Sequence, residues 1–284
     1  MIGVDIGGTN LLVGKIDDGK VVQRLHADII EGSRFDAVVE QVCDLILKIT
    51  DTDIERVGIA VAGSVDCNTG IVLRAQNLDW DNVELGPKVS EKLGCNVIIE
   101  NDVTAAAWGE FCFGAGKDVN SMFAVWVGTG VGGGIVLDGN IWRGPLGTAG
   151  EFGMSISSPE LSADPRLLEA IAGRSGMQRL LSMPDLTTKQ LAQGYNKDIP
   201  ITAAIEASAR RIGTGIANVI TLLSLNCVVL GGGLIESLGE PYVQAIRSQF
   251  ADDVFPDHCK ECEIRTTKLG PDAGLLGASN LPFS

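Results

Sequence analysis

The sequence predicts an α/β protein of two similar lobes, and the first reason is a glycine-rich hairpin that occurs twice. One copy runs from Asp5 to Gly19 and the other from Gly128 to Gly139. A shift of 120 positions without a gap superimposes Gly8, Thr9, Gly14, Asp18 and Gly19 on Gly128, Thr129, Gly134, Asp138 and Gly139. Each copy has the pattern of a strand, a tight turn, a second strand and an Asp-Gly turn.

The second reason is the alternation of strands and helices after the first hairpin. Short apolar runs predict strands at 21–29, 56–62 and 96–100. Apolar residues at helical spacing, or a run of alanines, predict helices at 35–49, 85–93 and 104–113, of which Gly94 ends the second. A turn is expected at 63–66.

The same alternation surrounds the second hairpin. A strand at 122–127 leads into it, and the elements beyond are a long amphipathic helix at 206–225, strands at 227–230 and 263–268, and a short helix at 272–278. Two such units in tandem predict two lobes with a cleft between them, at the carboxyl ends of the strands. We expect the smaller lobe to comprise 1–115 with 270–284, and the larger to comprise 116–269.

Composition excludes several classes of function. The net charge of −14 opposes nucleic acid or an anionic membrane as a partner. No apolar run reaches the roughly 18–20 residues that span a bilayer, and the chain enters a strand at once, without the basic start of a signal peptide. Seven scattered cysteines fit a reducing compartment, so we expect a cytoplasmic protein.

The repeated turns favour the binding of a polyphosphate. Glycine lets backbone N–H groups point at an anion, and the threonine adds a hydroxyl donor. A single glycine-rich hairpin is common in all-β proteins and is usually structural, but the duplication favours a function. Neither turn is a Walker loop or a dinucleotide-binding fingerprint, because no Gly-Lys-Ser/Thr follows and a strand, not a helix, comes next.

Two carboxylates stand where they could act on a ligand. Asp102 lies between a buried strand and a helix, where it is either the N-cap of the helix or a general base aimed into the cleft. Glu151 lies in a glycine-rich loop and is either an exposed loop acid or a ligand for sugar hydroxyls.

Taken together, the chain resembles the sugar kinases of the ROK family, in the actin-like ATPase superfamily. The stretches that carry the resemblance span almost the whole chain in the family's order: 5–10, 100–110, the hairpin from Gly128, 150–153, 230–234 and 269–278. The resemblance implies two actin-like (ribonuclease H-like) lobes around a central cleft. It also implies transfer of the γ-phosphate of ATP to a hydroxyl, most simply the 6-hydroxyl, of a hexose or related sugar.

The resemblance assigns roles to individual residues. It implies that Asp102 is the general base and that Asp5 helps to hold Mg²⁺ through water. The implied ATP contacts are Gly8, Thr9, Asn10, Gly128, Thr129, Gly130, Gly231, Gly232 and Gly233. The implied sugar contacts are Gly63, Asn77, Asn101, Asp102, Glu151 and Glu169.

The chain departs from the family at its zinc site. Many members have a histidine where this chain has Met154, followed by a cysteine cluster, and here no cysteine lies between Cys112 and Cys227. We therefore expect no structural zinc and the loss of one sugar contact. His258, Cys259 and Cys262 form another possible metal motif, but it lacks a clear fourth ligand, and we expect these to be surface cysteines.

Two other functions remain open. The family includes sugar-sensing repressors with an added DNA-binding segment, which we do not expect where the first hairpin begins at Asp5, and a sensor that binds ATP and sugar without catalysis is a further alternative. The resemblance favours a homodimer. The motifs do not distinguish which sugar or hydroxyl is used, or whether polyphosphate replaces ATP.

Overall fold

The computed structural model describes residues 1–29, 34–50, 54–158 and 166–282, and the chain forms two compact units. Unit 1 comprises Met1–Asp118, Ile141–Ala149 and Pro271–Ser284. Unit 2 comprises Val119–Asn140 and Gly150–Gly270. This division groups Ile141–Ala149 with unit 1, whereas the sequence pattern placed that segment in the other lobe.

The described secondary structure consists of runs of strands and helices that follow one another along the chain. The strands are β1 (Ile2–Ile6), β2 (Asn10–Asp17), β3 (Lys20–Asp28), β4 (Arg56–Val61), β5 (Ser64–Asp66), β6 (Ile71–Ala75), β7 (Trp80–Val83), β8 (Asn96–Asn101), β9 (Met122–Val127), β10 (Val131–Leu137), β11 (Asn140–Ile141), β12 (Cys227–Gly231) and β13 (Glu263–Thr266). The helices are α1 (Phe35–Ile49), α2 (Leu85–Leu93), α3 (Asp102–Phe113), α4 (Leu168–Ala172), α5 (Arg174–Leu180), α6 (Thr188–Gly194), α7 (Ile199–Leu223), α8 (Gly233–Leu238), α9 (Glu240–Asp253) and α10 (Ala273–Ser279).

Unit 1 is built on a five-stranded sheet of order β3-β2-β1-β4-β8. The hairpin strands β1, β2 and β3 are antiparallel, and β4 and β8 continue the sheet in parallel with β1. Residues of β1 alternate between the two faces, as a strand requires. Ile2, Val4 and Ile6 join the core formed with α1 and α2, whereas Gly3 and Asp5 lie toward α10 on the other face.

The α10 face of unit 1 depends on glycines that allow the backbones to approach closely. A Cβ atom at Gly58 of β4 would overlap the carbonyl oxygen of Ala278 in α10, and one at Gly277 would overlap the carbonyl oxygen of Ala105 in α3. Because the obstacles are backbone atoms, they cannot move aside as a side chain would.

We expect Gly58→Ala to destabilise the protein by at least about 2 kcal/mol, since the added methyl group must push α10 off the sheet. The melting temperature, measured by calorimetry, is then expected to fall by several degrees. Gly14→Ala is the matched control in the same sheet, because its Cβ would meet only side-chain atoms, the nearest being Leu275 Cδ1 at 3.3 Å. Equal losses in the two variants would show that the backbone contact with α10 is not the cause.

A second, three-stranded sheet of order β5-β6-β7 adjoins the unit 1 core. The prediction of a turn at 63–66 is wrong, because Ser64–Asp66 pairs with β6. The polar residues in and between these short strands interrupt the apolar pattern from which a strand would be predicted. Between β6 and β7, a 3₁₀ turn at Gln76–Leu78 carries Asn77, and Asp79 ends the turn in the left-handed conformation with φ 53°.

Unit 2 repeats the arrangement of the main sheet, with strand order β11-β10-β9-β12-β13. Here β9 and β10 form the antiparallel hairpin, and β12 and β13 are parallel to β9. The predicted Asp-Gly turns are confirmed in both copies, because Asp18, Gly19, Asp138 and Gly139 all have positive φ, between 45° and 76°. The core of unit 2 packs the sheet against α7, α8 and α9.

Helix α7 begins earlier than its predicted start at 206. It starts at Ile199, where Asp198 caps the first turn by accepting a hydrogen bond from the Ile201 N–H. Pro200 occupies the first turn, where its missing N–H costs nothing. In the described parts of the chain, no helix has the length and apolar character needed to cross a bilayer.

Candidate functional site

The turn between β1 and β2 is closed by the backbone and ordered by side chains. The Gly7 N–H donates to the Asn10 carbonyl at 2.9 Å. The Asn10 side chain donates from Nδ2 to Thr9 Oγ1 at 2.9 Å, so its Oδ1 accepts, and it receives a bond of 3.0 Å from His26 Nε2. His26, to which the motifs gave no role, therefore fixes the orientation of Asn10.

The other predicted unit 1 residues lie close to this turn or to one another. A Cβ atom at Gly8 would lie 2.8 Å from Asn77 Cβ, so the first hairpin and Asn77 are in contact. Asn101 Nδ2 donates to the Gly63 carbonyl oxygen at 3.0 Å. The predicted site residues thus meet in two places: Gly8 with Asn77 at the first hairpin, and Gly63 with Asn101 at the end of β8.

Asn101 both begins helix α3 and orients Asp102. Its Oδ1 accepts a hydrogen bond from the Thr104 N–H at 3.0 Å, so Asn101 is the N-cap. Its Nδ2 donates to Asp102 Oδ1 at 3.0 Å. Of the two interpretations of Asp102, the N-cap role is wrong because Asn101 fills it. Asp102 stands half-buried in the first turn of the helix.

The carboxylate of Glu100 makes contacts beside Asn101 that the sequence motifs did not reveal. Its side chain is 3% exposed and is paired with Arg143, whose Nε and Nη2 both lie 2.7 Å from Oε2. Its other oxygen accepts from the Asn101 N–H at 2.9 Å and from Cys67 Sγ at 3.3 Å. The available signal was an acid directly after the apolar run 97–99 of β8, since a buried acid requires a partner.

Asp5 lies near the end of β1, and no hydrogen bond or ion pair joins its carboxylate to a side chain or backbone group of the described residues. Burial raises the pKa of its carboxyl group from 3.8 to about 6. A Cβ atom at Gly274 would lie 2.9 Å from Asp5 Oδ2, so α10 approaches the carboxylate closely. A partly desolvated carboxylate of this kind fits a role beside a divalent cation, because oxygen ligands suit Mg²⁺.

We expect Asp5→Asn to stabilise the metal-free protein at neutral pH. The raised pKa means that the folded state binds the Asp5 proton more tightly than the unfolded state. The tighter proton binding adds to the free energy of unfolding, fully below about pH 4, and this addition is lost as the pH rises to about 6. The neutral amide of the variant avoids this loss of stability. A pKa difference of about two units corresponds to a loss of no more than about 3 kcal/mol.

Denaturant titrations in a chelator at pH 4 and pH 7.5 measure this effect. The variant and the native protein are expected to differ only at the higher pH. Asp44→Asn, at an exposed position on α1, is the control and should change neither value. A gain from Asp5→Asn at pH 4 as large as at pH 7.5 would exclude burial of the charge as its cause.

The turn between β9 and β10 is held on one side by Glu169. The Gly128 N–H donates to the Gly130 carbonyl at 2.9 Å, which closes the turn. Glu169 Oε2 accepts from the Val131 N–H at 2.9 Å, and a Cβ atom at Gly130 would overlap this carboxylate. A Cβ at Gly128 would meet nothing within 4 Å, so the other side of the turn is open to a ligand.

Arg174 is a second residue of this turn that the motifs did not reveal. Its backbone N–H donates to the Gly128 carbonyl at 3.0 Å, and that of Ser175 donates to the Thr129 carbonyl at 3.0 Å. Its guanidinium Nη2 donates to Thr129 Oγ1 at 2.8 Å. The start of α5 is therefore attached to the second hairpin by three hydrogen bonds.

Glu151 and Glu169 form a pair of nearby acids in unit 2. Gly150, with φ 104°, makes a turn that a side chain would strain, and its close approach to Gly133 holds the loop against β10. Although Glu151 is exposed, partial burial of the carboxyl group and the charge of Glu169 both raise its pKa. Met154 follows in the same turn and is 46% exposed.

The glycines at 231–233 have different surroundings. A Cβ atom at Gly231 would lie 2.6 Å from the Trp126 ring, and one at Gly232 would lie 2.7 Å from the Val127 carbonyl oxygen. Packing inside unit 2 therefore explains two of the three glycines. Only at Gly233, the first residue of α8, does a Cβ atom meet nothing within 4 Å, so this position is the one of the three that is open to a ligand.

The expectation of surface cysteines at 259 and 262 is wrong. Both are buried, at 8% exposure, because the 3₁₀ turn Asp257–Glu261 directs them into the core of unit 2. Burial raises the pKa of Cys262 to about 12, which disfavours the thiolate that zinc requires. Within the described ranges, no three His, Cys, Asp or Glu side chains are grouped so that they could hold a metal ion.

The chain is similar over almost its whole length to proteins of one family. The model of the ROK family matches residues 1–282. The glucokinases of Halalkalibacterium halodurans and Thermotoga maritima are each 30% identical, over 97% and 99% of this chain and 92% and 96% of their own. A crystal structure of a ROK family glucokinase from Streptomyces griseus, in complex with glucose and AMPPNP, superimposes with a TM-score of 0.85 at 28% identity, covering 99% of this chain and 98% of that one.

These similarities confirm the predicted α/β fold of the actin-like ATPase type. The match extends from the first hairpin through the second and on to α10, so it includes every motif on which the resemblance rested. The chain therefore belongs to the ROK family.

Proposed function

We propose that this protein is an ATP-dependent sugar kinase, which transfers the γ-phosphate of ATP to the 6-hydroxyl of a hexose or related sugar. The observation that carries the proposal is the Asn101–Asp102 turn, where a half-buried carboxylate is oriented by the neighbouring amide at 3.0 Å. The glucokinases and the glucose complex named above support the same chemistry.

Asp102 acts as the general base in this proposal. A sugar hydroxyl is a weak nucleophile with a pKa far above neutrality, so its proton is best accepted as the bond to phosphorus forms. Asn101 holds one carboxylate oxygen of Asp102 through its Nδ2. The buried Glu100–Arg143 pair holds Asn101 in turn, through the Asn101 N–H.

The two hairpins bind the phosphates of ATP. The proposed contacts are the backbone N–H groups and side chains of Gly8, Thr9, Asn10, Gly128, Thr129 and Gly130, with the adenosine close to Gly233 in the segment 231–233. The open side of Gly128 supports this assignment. Mg²⁺, held by Asp5 through water, would neutralise charge that develops on the phosphates.

Sugar hydroxyls are assigned to Gly63, Asn77 and Asn101 in unit 1 and to Glu151 and Glu169 in unit 2. Glu169 has one oxygen engaged by the Val131 N–H, which leaves the other for a hydroxyl. Met154, in the position of the family's histidine, supports an enzyme without structural zinc. The proposal also includes a homodimer in the cytoplasm.

The direct test is a coupled assay of ADP release with MgATP. The acceptors to be compared are glucose, mannose, fructose, allose, N-acetylglucosamine and N-acetylmannosamine. We expect at least one of them to raise ADP release far above the rate of ATP hydrolysis without sugar, and ³¹P NMR of the product then identifies the hydroxyl. Binding of ATP and sugar without turnover would favour the regulatory alternative.

We expect Glu151→Gln to raise the KM for the sugar by about tenfold and to change the KM for ATP little, because a charged acceptor contributes roughly 1.5–3 kcal/mol to a hydrogen bond. The raised pKa of Glu151 adds a pH dependence. In the native enzyme, sugar affinity is expected to fall as the pH drops toward that pKa, since the proton removes the acceptor. Glu151→Gln should lack this fall, and an identical pH profile in both proteins would contradict the assignment.

A further inference from the structure

The threonine hydroxyls of the two hairpins are both hydrogen-bonded by a nitrogen donor. In the first hairpin the donor to Thr9 Oγ1 is the neutral amide of Asn10, at 2.9 Å. In the second, the donor to Thr129 Oγ1 is the guanidinium of Arg174, at 2.8 Å. A hydroxyl that accepts such a bond directs its own proton elsewhere, and both threonines are exposed. Each is thereby set to donate to an outside acceptor such as a phosphate oxygen.

The two donors differ in charge, and this difference bears on phosphate binding. Neither repeated turn contains a lysine or an arginine in its own sequence, and the chain carries a net charge of −14. ATP is itself a polyanion. Arg174 adds a fixed positive charge to the second turn, although it lies outside the motif and 45 residues from Thr129.

The remaining donors of Arg174 are available. A guanidinium has five N–H donors, and the bond to Thr129 uses one of them. Among the described residues, no carboxylate forms an ion pair with Arg174. The nearby acid at the turn, Glu169, is instead engaged by the Val131 N–H. The side chain is half-buried and is anchored at its backbone by the Gly128 carbonyl, so little ordering remains for ligand binding to impose.

We propose that Arg174 is a phosphate-binding residue of the second hairpin, whose guanidinium both sets the Thr129 hydroxyl as a donor and contacts a β- or γ-phosphate oxygen of ATP. This inference rests on the proposed function. It adds a positively charged guanidinium to a turn whose own motif offers phosphate only backbone N–H and hydroxyl donors. Arginine suits the task because its planar fork can serve Thr129 and a phosphate at once.

The test is calorimetric binding of MgAMPPNP and of adenosine to Arg174→Met. Loss of a charge-assisted contact is expected to weaken MgAMPPNP binding by about 10- to 100-fold and to leave adenosine binding unchanged. Arg174→Lys, which keeps the charge without the fork, should recover part of the affinity. Arg179→Met, at an exposed position on the same helix, is the control and should bind both ligands as the native protein does.

Two results would overturn the inference. One is MgAMPPNP affinity within twofold of the native value in Arg174→Met. The other is an equal loss of MgAMPPNP and adenosine, which would indicate a structural defect of the turn.

A Thr129→Val background separates direct contact from an effect exerted through the threonine. If Arg174 touches phosphate, Arg174→Met weakens MgAMPPNP binding further in that background, whereas no further loss would overturn direct contact. The proposed function is tested apart from this, by ADP release from the native protein. If the native protein binds MgAMPPNP but phosphorylates no sugar, the proposed kinase activity is refuted, and the binding data alone decide whether Arg174 contacts phosphate. If the native protein binds no nucleotide, both the proposed function and the role of Arg174 are refuted.

Discussion

We expect Asp102→Asn to lower turnover by about 10²- to 10⁴-fold, the usual cost of removing a general base. The exchange is nearly isosteric, and an amide can still receive the bond that Asn101 Nδ2 now donates to Asp102 Oδ1. Because the base acts after the substrates bind, the KM values are expected to change much less than kcat. Initial rates at saturating sugar and MgATP measure the effect.

The control for this variant is Asp36→Asn, because Asp36 is an acid in the first turn of α1, as Asp102 is in α3. Both exchanges remove a charge that favours the helix dipole, worth about 0.3–1 kcal/mol. Similar small changes in melting temperature with a loss of activity only in Asp102→Asn would isolate the chemical role. Retention of more than about a tenth of native turnover would show that Asp102 is not the base.

The second large effect is expected from Arg143→Met, on stability and activity together. The exchange would leave the Glu100 carboxylate, 3% exposed, without its cation. Breaking a buried pair costs about 3–5 kcal/mol. We expect about 2–4 kcal/mol for this pair, because Arg143 is itself 32% exposed and water can replace part of the interaction. Urea denaturation gives the stability, and turnover is expected to fall because Glu100 also fixes the Asn101 N–H.

The double variant Arg143→Met with Glu100→Gln tests whether the unpaired charge is the cause. A neutral amide at position 100 removes the uncompensated charge and can still accept from the Asn101 N–H, so most of the lost stability should return. If the double variant is no more stable than Arg143→Met alone, the loss comes from side-chain packing of Arg143 and not from the unpaired carboxylate.

Elements with strong periodicity or clear end signals were predictable from the sequence. The predicted bounds of α1 and α2 agree with the structure at both ends, since apolar spacing defines the first and Gly94 ends the second. Short polar strands such as β5 have no such signal, because their stability comes from pairing with β6. The early start of α7 is signalled by Asp198 and Pro200, which precede the apolar stripe that predicts a helix from 206.

The candidate site was predictable where it depends on local motifs and not where it depends on pairs distant in sequence. Asn101 and Asp102 are neighbours, so their joint role follows from the motif. The partners of Glu100 and Thr129, by contrast, lie 43 and 45 residues further along the chain. Nothing in single-sequence spacing connects such partners, and only the fold brings Arg143 and Arg174 to them.

The discontinuous course of unit 1 has a consequence for synthesis on the ribosome. Its sheet begins with β1 at Ile2, yet α10, which packs on β1, β4 and α3, lies at Ala273–Ser279. Domains tend to fold as their chain emerges, at about 5–20 residues per second. The face of the nascent sheet that carries Gly3 and Gly58 therefore stays uncovered by α10 while all of Gly150–Gly270 is translated. Synthesis of unit 1 begins before that of unit 2 and ends after it. Chaperone capture is therefore expected to be greatest on chains stalled just before Ala273.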